Sequence, residues 1–150
     1  MAATEVPPIA QRDLTIADYD EILALWRRAG LSVCPDGRDA PEAFARQLAG
    51  GLQRAVGLRA GSELVAIVVL THDGRKGWIN RLAVDPGFRR RKLASRLIAE
   101  SERWFAEVLG LEIWAALIES ENHESQALFG QAGYGSQDLV DVSKRTRPGA

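Results

Sequence analysis

The stretch Val84-Asp85-Pro86-Gly87-Phe88-Arg89-Arg90-Arg91-Lys92-Leu93-Ala94 decides the reading of this chain. Before it, residues 78–84 are apolar and strand-like. After it, an amphipathic pattern runs from about Leu93 to Leu109. A strand ends, a short turn follows, and a helix starts behind four consecutive cations. Cations at a helix N-terminus oppose the macrodipole, which favours negative charge there. The arrangement makes physical sense when an anion sits on the helix start, held by free backbone N–H groups and neutralising the cations. A phosphate has the right geometry. The alternatives are a solvated basic turn and a nucleic-acid contact. A formal net charge of −1 and a pI near 6.1 argue against the last, so no nucleic-acid partner is expected.

Working outward, the helix after this turn joins strand 78–84 to a continuously apolar segment, 113–118, and so predicts a parallel βαβ crossover. Upstream, residues 64–70 are apolar throughout and read as a central strand buried on both faces. The turns Ala60-Gly61-Ser62-Glu63 and Asp73-Gly74 flank it and predict antiparallel neighbours, one of them over 54–60. Nearer the N-terminus, a short strand over 9–14 precedes a helix capped by Thr15 or Asp18. Tyr19, Ile22, Leu23 and Trp26 share one face of it, and Gly30 ends it. A loop over 31–39, with Cys34-Pro35-Asp36-Gly37, leads to a second helix starting at Pro41 and ending near Gly50-Gly51. Late in the chain, Asn122 caps a helix whose Ser125, Leu128, Phe129 and Ala132 share a face, and residues 134–145 are expected to hold one or two closing strands. The fold class is therefore α/β (α+β): a mixed, mostly antiparallel sheet with helices on both faces and one parallel crossover.

The length of 150 residues suits one domain over 9–146, with tails at 1–8 and 147–150. No apolar stretch approaches the roughly 20 residues of a membrane span, so no membrane partner is expected. The N-terminus lacks the charged start and long apolar run of a signal peptide, so a cytoplasmic location is the expectation. Cys34 is the only cysteine and His72 and His123 the only histidines, which leaves too few ligands for a dedicated metal site. The sequence leaves a homodimer open.

The element order and two local signatures resemble the GNAT superfamily of N-acetyltransferases, from about Ile9 to Arg145. The first signature is the family's pyrophosphate loop, R/Q-x-x-G-x-G/A, here Arg89-Arg90-Arg91-Lys92-Leu93-Ala94, preceded by Leu82-Ala83-Val84-Asp85-Pro86 and followed by Ser95-Arg96-Leu97-Ile98. The second is the late-helix pattern Asn122-His123-Glu124-Ser125-Gln126-Ala127-Leu128-Phe129-Gly130-Gln131-Ala132-Gly133-Tyr134. The resemblance implies acetyl-CoA as co-substrate, in a V-shaped opening between the strands ending at Val84 and Ile118. It implies that backbone groups of Leu82, Ala83 and Val84 pair with the pantetheine arm. The N–H groups from Arg89 through Arg90, Arg91, Lys92, Leu93 and Ala94 to Ser95 would cradle the pyrophosphate. Asn122, with Ser125 and Phe129 on its helix, would face the pantetheine from the other side.

Three departures from the family pattern bear on chemistry. Lys92 occupies the pattern's first glycine, and the expectation is that it lies in the first helical turn with negative φ, where a side chain is tolerated. Phe129 stands where many relatives have a tyrosine thought to protonate the departing thiolate; here it would be core and also line the thiol end of the site. Asn80 lies on the strand where some relatives carry a glutamate base. Asparagine can position water but cannot take a proton, and Glu119 and Glu121 are the replacement candidates. The expected activity is acetyl transfer from acetyl-CoA to a primary amine on a small molecule or peptide, by direct attack in a ternary complex. The competing expectation is a coenzyme-binding module with little catalysis.

Overall fold

A computed structural model describes residues 7–148. Its elements are β1 (Ile9–Asp13), a 3-10 turn (Ile16–Asp18), α1 (Tyr19–Arg28), α2 (Pro41–Ala49), β2 (Gln53–Ala60), β3 (Glu63–His72), β4 (Gly77–Val84), a 3-10 turn (Pro86–Phe88), α3 (Leu93–Arg103), β5 (Trp114–Ala116) and α4 (His123–Gln131). The strands form one sheet in the order β1-β2-β3-β4-β5, antiparallel except for the parallel pair β4 and β5. Mixed topology with one crossover is what the sequence predicted.

Local chemistry accounts for the boundaries. Thr15 and Asp18 form a reciprocal capping box ahead of α1: the Thr15 hydroxyl accepts from the Ala17 N–H, and the Asp18 carboxylate accepts from the Thr15 N–H. Pro41 opens α2. Asp73 closes the β3–β4 turn by accepting the N–H groups of Arg75 and Lys76 at 2.8 Å each. Those bonds hold its carboxyl below its usual range. α3 runs on into a wider π-type turn, Trp104–Val108, which delivers Phe105 onto Gly77. A Cβ at Gly77 would stand 2.6 Å from the Phe105 ring, so only glycine lets the first residue of β4 pass beneath it.

Two apolar layers sandwich the sheet. Val56, Leu58, Val65, Val68 and Leu70 join Leu97, Ile98 and Phe105 on the face covered by α3 and α4. Leu64, Ile67 and Val69 join Ile22, Leu25, Trp26 and Phe44 on the face covered by α1 and α2. β3 feeds both layers, and Leu64 to Leu70 are all buried. No helix among the described residues is long and apolar enough to cross a membrane.

Two expectations at the end of the chain are corrected. The apolar run 113–118 yields only the three residues of β5, with Ile113 and Leu117 exposed. β4 and β5 pair through Gly77–Trp114, Trp78–Ala115 and Ile79–Ala116 and no further, so the ladder ends where the strands diverge. Residues 134–145 hold no strand. Tyr134 is fixed, its ring edge-on to Phe129, but Leu139, Val140 and Val142 beyond it are exposed. Adjacent Leu139 and Val140 would point to opposite faces of a strand, so one face of a three-residue edge cannot bury both. The tails expected at 1–8 and 147–150 lie mostly outside the described residues.

Candidate functional site

The divergence of β4 from β5 positions the site. Beyond Ile79, β4 has no strand partner on its β5 side among the described residues, and Leu82, Ala83 and Val84 there line a cavity of about 620 Å³. Asp85 ends the strand. Its carboxylate accepts the Gly87 N–H at 2.8 Å and the Arg28 Nε–H at 2.9 Å, so α1 braces the turn that carries the chain into the basic run. Arg89, Arg90, Lys92, Leu93, Ala94 and Ser95 line the same cavity, and so do Asn122 and Ser125 from α4. The two signatures, far apart in the chain, therefore border one space.

The start of α3 has the donor geometry of an anion site. The Arg96 N–H bonds the Lys92 carbonyl at 3.0 Å, while the N–H groups of Leu93, Ala94 and Ser95 precede that first intrahelical bond. Lys92 is at the N-cap and supplies no side-chain cap. Its φ is +61°, and that of Arg90 is +64°. The expected negative φ at Lys92 is thus overturned. The backbone turns through the left-handed region just before the helix, which is the conformation that the glycine of the family pattern serves. A lysine there costs about 1–2 kcal/mol.

Other expected site residues fall outside the cavity lining. The Arg91 guanidinium lies over the Phe88 ring at 4.9 Å. Phe129 is buried in the core beside Tyr134, and its neighbour Leu128 reaches the cavity instead. The Asn80 amide donates to Thr71 Oγ1 at 3.0 Å and to the Trp78 carbonyl at 3.3 Å, leaving its oxygen as the group able to orient water. Glu119 follows β5, and its carbonyl accepts from the Asn122 N–H and the Gln126 amide. Asn122 caps α4 by accepting the Ser125 N–H at 3.1 Å.

Tyr134 does not replace the tyrosine missing at position 129. Its hydroxyl donates to Glu102 and accepts from Trp114 Nε1, both at 2.8 Å. Burial first, then the Glu102 carboxylate, push its pKa up, so its proton is committed. Leu31, at the start of the loop over 31–39, and Ala29, at the end of the helix before it, also stand in the cavity wall. Sequence reasoning missed Phe88 and Glu124 there, which were visible only as neighbours within the two signatures. No cluster of three or more metal-ligating side chains exists among the described residues.

The aminoglycoside N-acetyltransferase AAC(6')-Iy, solved with a bisubstrate analogue, CoA-S-monomethyl-acetylneamine, superimposes with a TM-score of 0.77 at 18% identity, over 92% of this chain and 99% of that one. The PaiA N-acetyltransferase of Thermoplasma acidophilum, solved with coenzyme A, gives 0.78 at 17% identity, over 89% and 93%. A ribosomal-protein-alanine N-acetyltransferase from Brucella melitensis biovar Abortus 2308 gives 0.70 at 17%, over 93% and 100%. These likenesses concern the fold. Among curated proteins none matches the sequence. The model of the acetyltransferase (GNAT) family matches residues 19–134 of the chain, which therefore belongs to that family of acetyl-CoA-dependent N-acetyltransferases.

Proposed function

We propose that this protein transfers acetyl from acetyl-CoA to a primary amine by direct attack in a ternary complex. One observation carries the reading: Leu82 to Val84, the start of α3 and the start of α4 border a single cavity at the place where β4 leaves β5. The free N–H groups of Leu93 to Ser95 suit a pyrophosphate, with Arg89, Arg90 and Lys92 adding attraction. The unpaired side of β4 offers strand-like partners to an amide-bearing arm, and Asn122 and Ser125 face it from α4.

Acetyl-CoA supplies an activated acyl carbon and a thiolate leaving group. The amine must reach it unprotonated. An α-amino group, pKa about 8, loses its proton more readily than a lysine amine near 10.4. Glu124, on α4, is the one carboxylate among the described side chains that line the cavity; proton loss runs through water, with the Asn80 oxygen as an orienting group and Glu119 and Glu121, just before α4, as further carboxylates. The amine nitrogen then bonds to the acyl carbon, the C–S bond breaks, and the sulfur leaves as thiolate. A thiol of pKa near 8.5 leaves without a strong acid, which is consistent with Phe129. The names of solved relatives specify an aminoglycoside analogue and a ribosomal-protein alanine, both amine-bearing acceptors. That range supports a small-molecule or peptide amine here.

Acetyl-CoA calorimetry and an amine-panel assay of thiol release test the reading. Binding with turnover of at least one amine is expected. Binding without any turnover would favour a coenzyme-binding module, which the lysine at position 92 and the phenylalanine at position 129 motivate. Absence of binding would overturn both.

A further inference from the structure

Arg81 has no part in the account above, yet its guanidinium meets Trp26, Ser32 and Asp39 at once. It lies at the register break of β4: Ile67 faces Ala83 and Val69 faces Asn80, so Arg81 and Leu82 together stand against Val68. Such a bulge re-aims side chains. The φ of Arg81 is +48°, a conformation that a non-glycine residue keeps only where its surroundings hold it. The guanidinium lies 4.0 Å from the Trp26 ring centroid on α1. Nη2 donates to the Ser32 carbonyl at 2.8 Å and stands 4.0 Å from Asp39 Oδ2. Nε is buried without a hydrogen-bond partner.

Ser32 and Asp39 are the two ends of one loop. Between them, the Asp39 carboxylate accepts the Cys34 N–H at 2.8 Å, and the Asp39 carbonyl accepts the Tyr19 hydroxyl. Leu31, at the loop's start, lines the cavity beside Leu82. A single side chain thus connects the bulge of the strand that borders the cavity to the loop whose first residue, Leu31, lines it.

We propose that Arg81 is a positioning residue that clamps loop 31–39 against β4 and so sets the wall met by the acceptor amine. The clamp rests on geometry alone; its role toward the acceptor rests on the acetyl-transfer reading. Arginine suits the task because its planar fork stacks on Trp26 while reaching the Ser32 carbonyl, which a lysine ammonium cannot do together.

Cys34, the only cysteine, sits half-buried in the loop and serves as a built-in reporter. The experiment compares its rate of reaction with Ellman's reagent in wild type, Arg81→Lys, Arg81→Met and Arg81→Gly, all checked for folding by circular dichroism. Arg81→Met and Arg81→Gly should label about tenfold faster, the loss of one charge-assisted hydrogen bond. Arg81→Gly should do so although glycine relieves the positive φ, and Arg81→Lys should fall between. Acetyl-CoA affinity, by calorimetry, should stay within about twofold, and the KM of the best amine from the panel should rise more than kcat falls. Should Arg81→Met not fold, Arg81→Lys carries the comparison. Unchanged labelling in folded variants would overturn the clamp. So would a loss of acetyl-CoA affinity as large as the gain in labelling, which would assign Arg81 to the coenzyme strand. A wild type that binds no acetyl-CoA would overturn the acetyl-transfer reading, and the acceptor wall with it, before any variant is made.

Discussion

Phe129 and Tyr134 meet edge to face, with ring centroids 5.0 Å apart and planes at 84°. Edge-on pairs of this kind add to burial, and here the pair ties the middle of α4 to the residue that bonds Trp114 and Glu102. Phe129→Ala should therefore destabilise the fold by about 3–5 kcal/mol. Phe129→Tyr should keep or raise thiol release, since the ring is retained and a hydroxyl is added. Thermal melts and the turnover assay read the two effects separately. A Phe129→Ala protein melting like wild type would contradict its place in the core. A loss of turnover in folded Phe129→Tyr would mean that the packing behind the cavity wall does not tolerate a hydroxyl.

Glu100 joins two arginines. It accepts from Arg103 Nη2 at 2.7 Å and from Arg54 Nη1 at 3.0 Å, and Arg54 also pairs with Asp13 on β1. The bond from Arg103, ahead of that from Arg54, outweighs burial and brings the Glu100 carboxyl from 4.5 to about 2. A depressed carboxylate contributes stability that is complete above its unfolded value and is lost as the pH falls toward its folded value. The window is therefore about pH 4.5 down to 2, and the contribution is at most about 3 kcal/mol. Glu100→Gln should lower stability at pH 7 and flatten the acid limb in that window. Urea titrations at several pH values check it; parallel limbs for the two proteins would remove Glu100 from the acid response.

The sequence and the structure agree where one physical signal dominates. Seven successive apolar residues, Leu64 to Leu70, can be satisfied only by a strand covered on both faces, and β3 is that strand. The strand, turn and helix start at α3 were legible because apolar residues, Pro86-Gly87 and the cations stand in order. The backbone conformation there was not. With lysine at position 92, no glycine announces a positive φ, and the sign of the dihedral stayed hidden behind a side chain that tolerates it at a cost. The length of β5 was equally hidden, since apolar Ile113 and Leu117 read as strand although the ladder stops at Ala116. Arg81 carries no sequence signal, because a bulge leaves no mark in a strand of ordinary residues.

Lys92→Gly follows from the left-handed φ. Relief of about 1–2 kcal/mol in the folded chain is partly offset by glycine's greater freedom when unfolded, leaving stability equal or slightly higher. Lys92→Val should lose more than the lysine already does, because β-branched residues fit this region worst. Acetyl-CoA affinity should hold or rise in Lys92→Gly, as one cation is lost but the backbone is relaxed. Chemical denaturation and calorimetry measure both. A Lys92→Val protein as stable as Lys92→Gly would show that position 92 does not take positive φ in solution.

Ala94→Pro tests whether the coenzyme sits on backbone donors. Ala94 is the second residue of α3, before the first intrahelical bond from Arg96, so proline there deletes one unpaired N–H and no helical hydrogen bond. Helix content should survive, which separates this change from unfolding. Side-chain charges act differently. Arg89, Arg90 and Arg91 are exposed, and their attraction is shared and screened by salt over about 8–10 Å. Each single change to alanine should weaken acetyl-CoA only a few-fold, in keeping with the 0.2–1 kcal/mol typical of exposed ion pairs, ~0.5 on average. Loss of an N–H aimed at a phosphate should cost more, about 1.5–3 kcal/mol, or roughly 10- to 150-fold in affinity. Calorimetry at fixed ionic strength orders the four variants. Ala94→Pro binding as tightly as wild type would mean that the pyrophosphate does not rest on the start of α3, while an arginine variant weaker than Ala94→Pro would transfer the main work to that side chain.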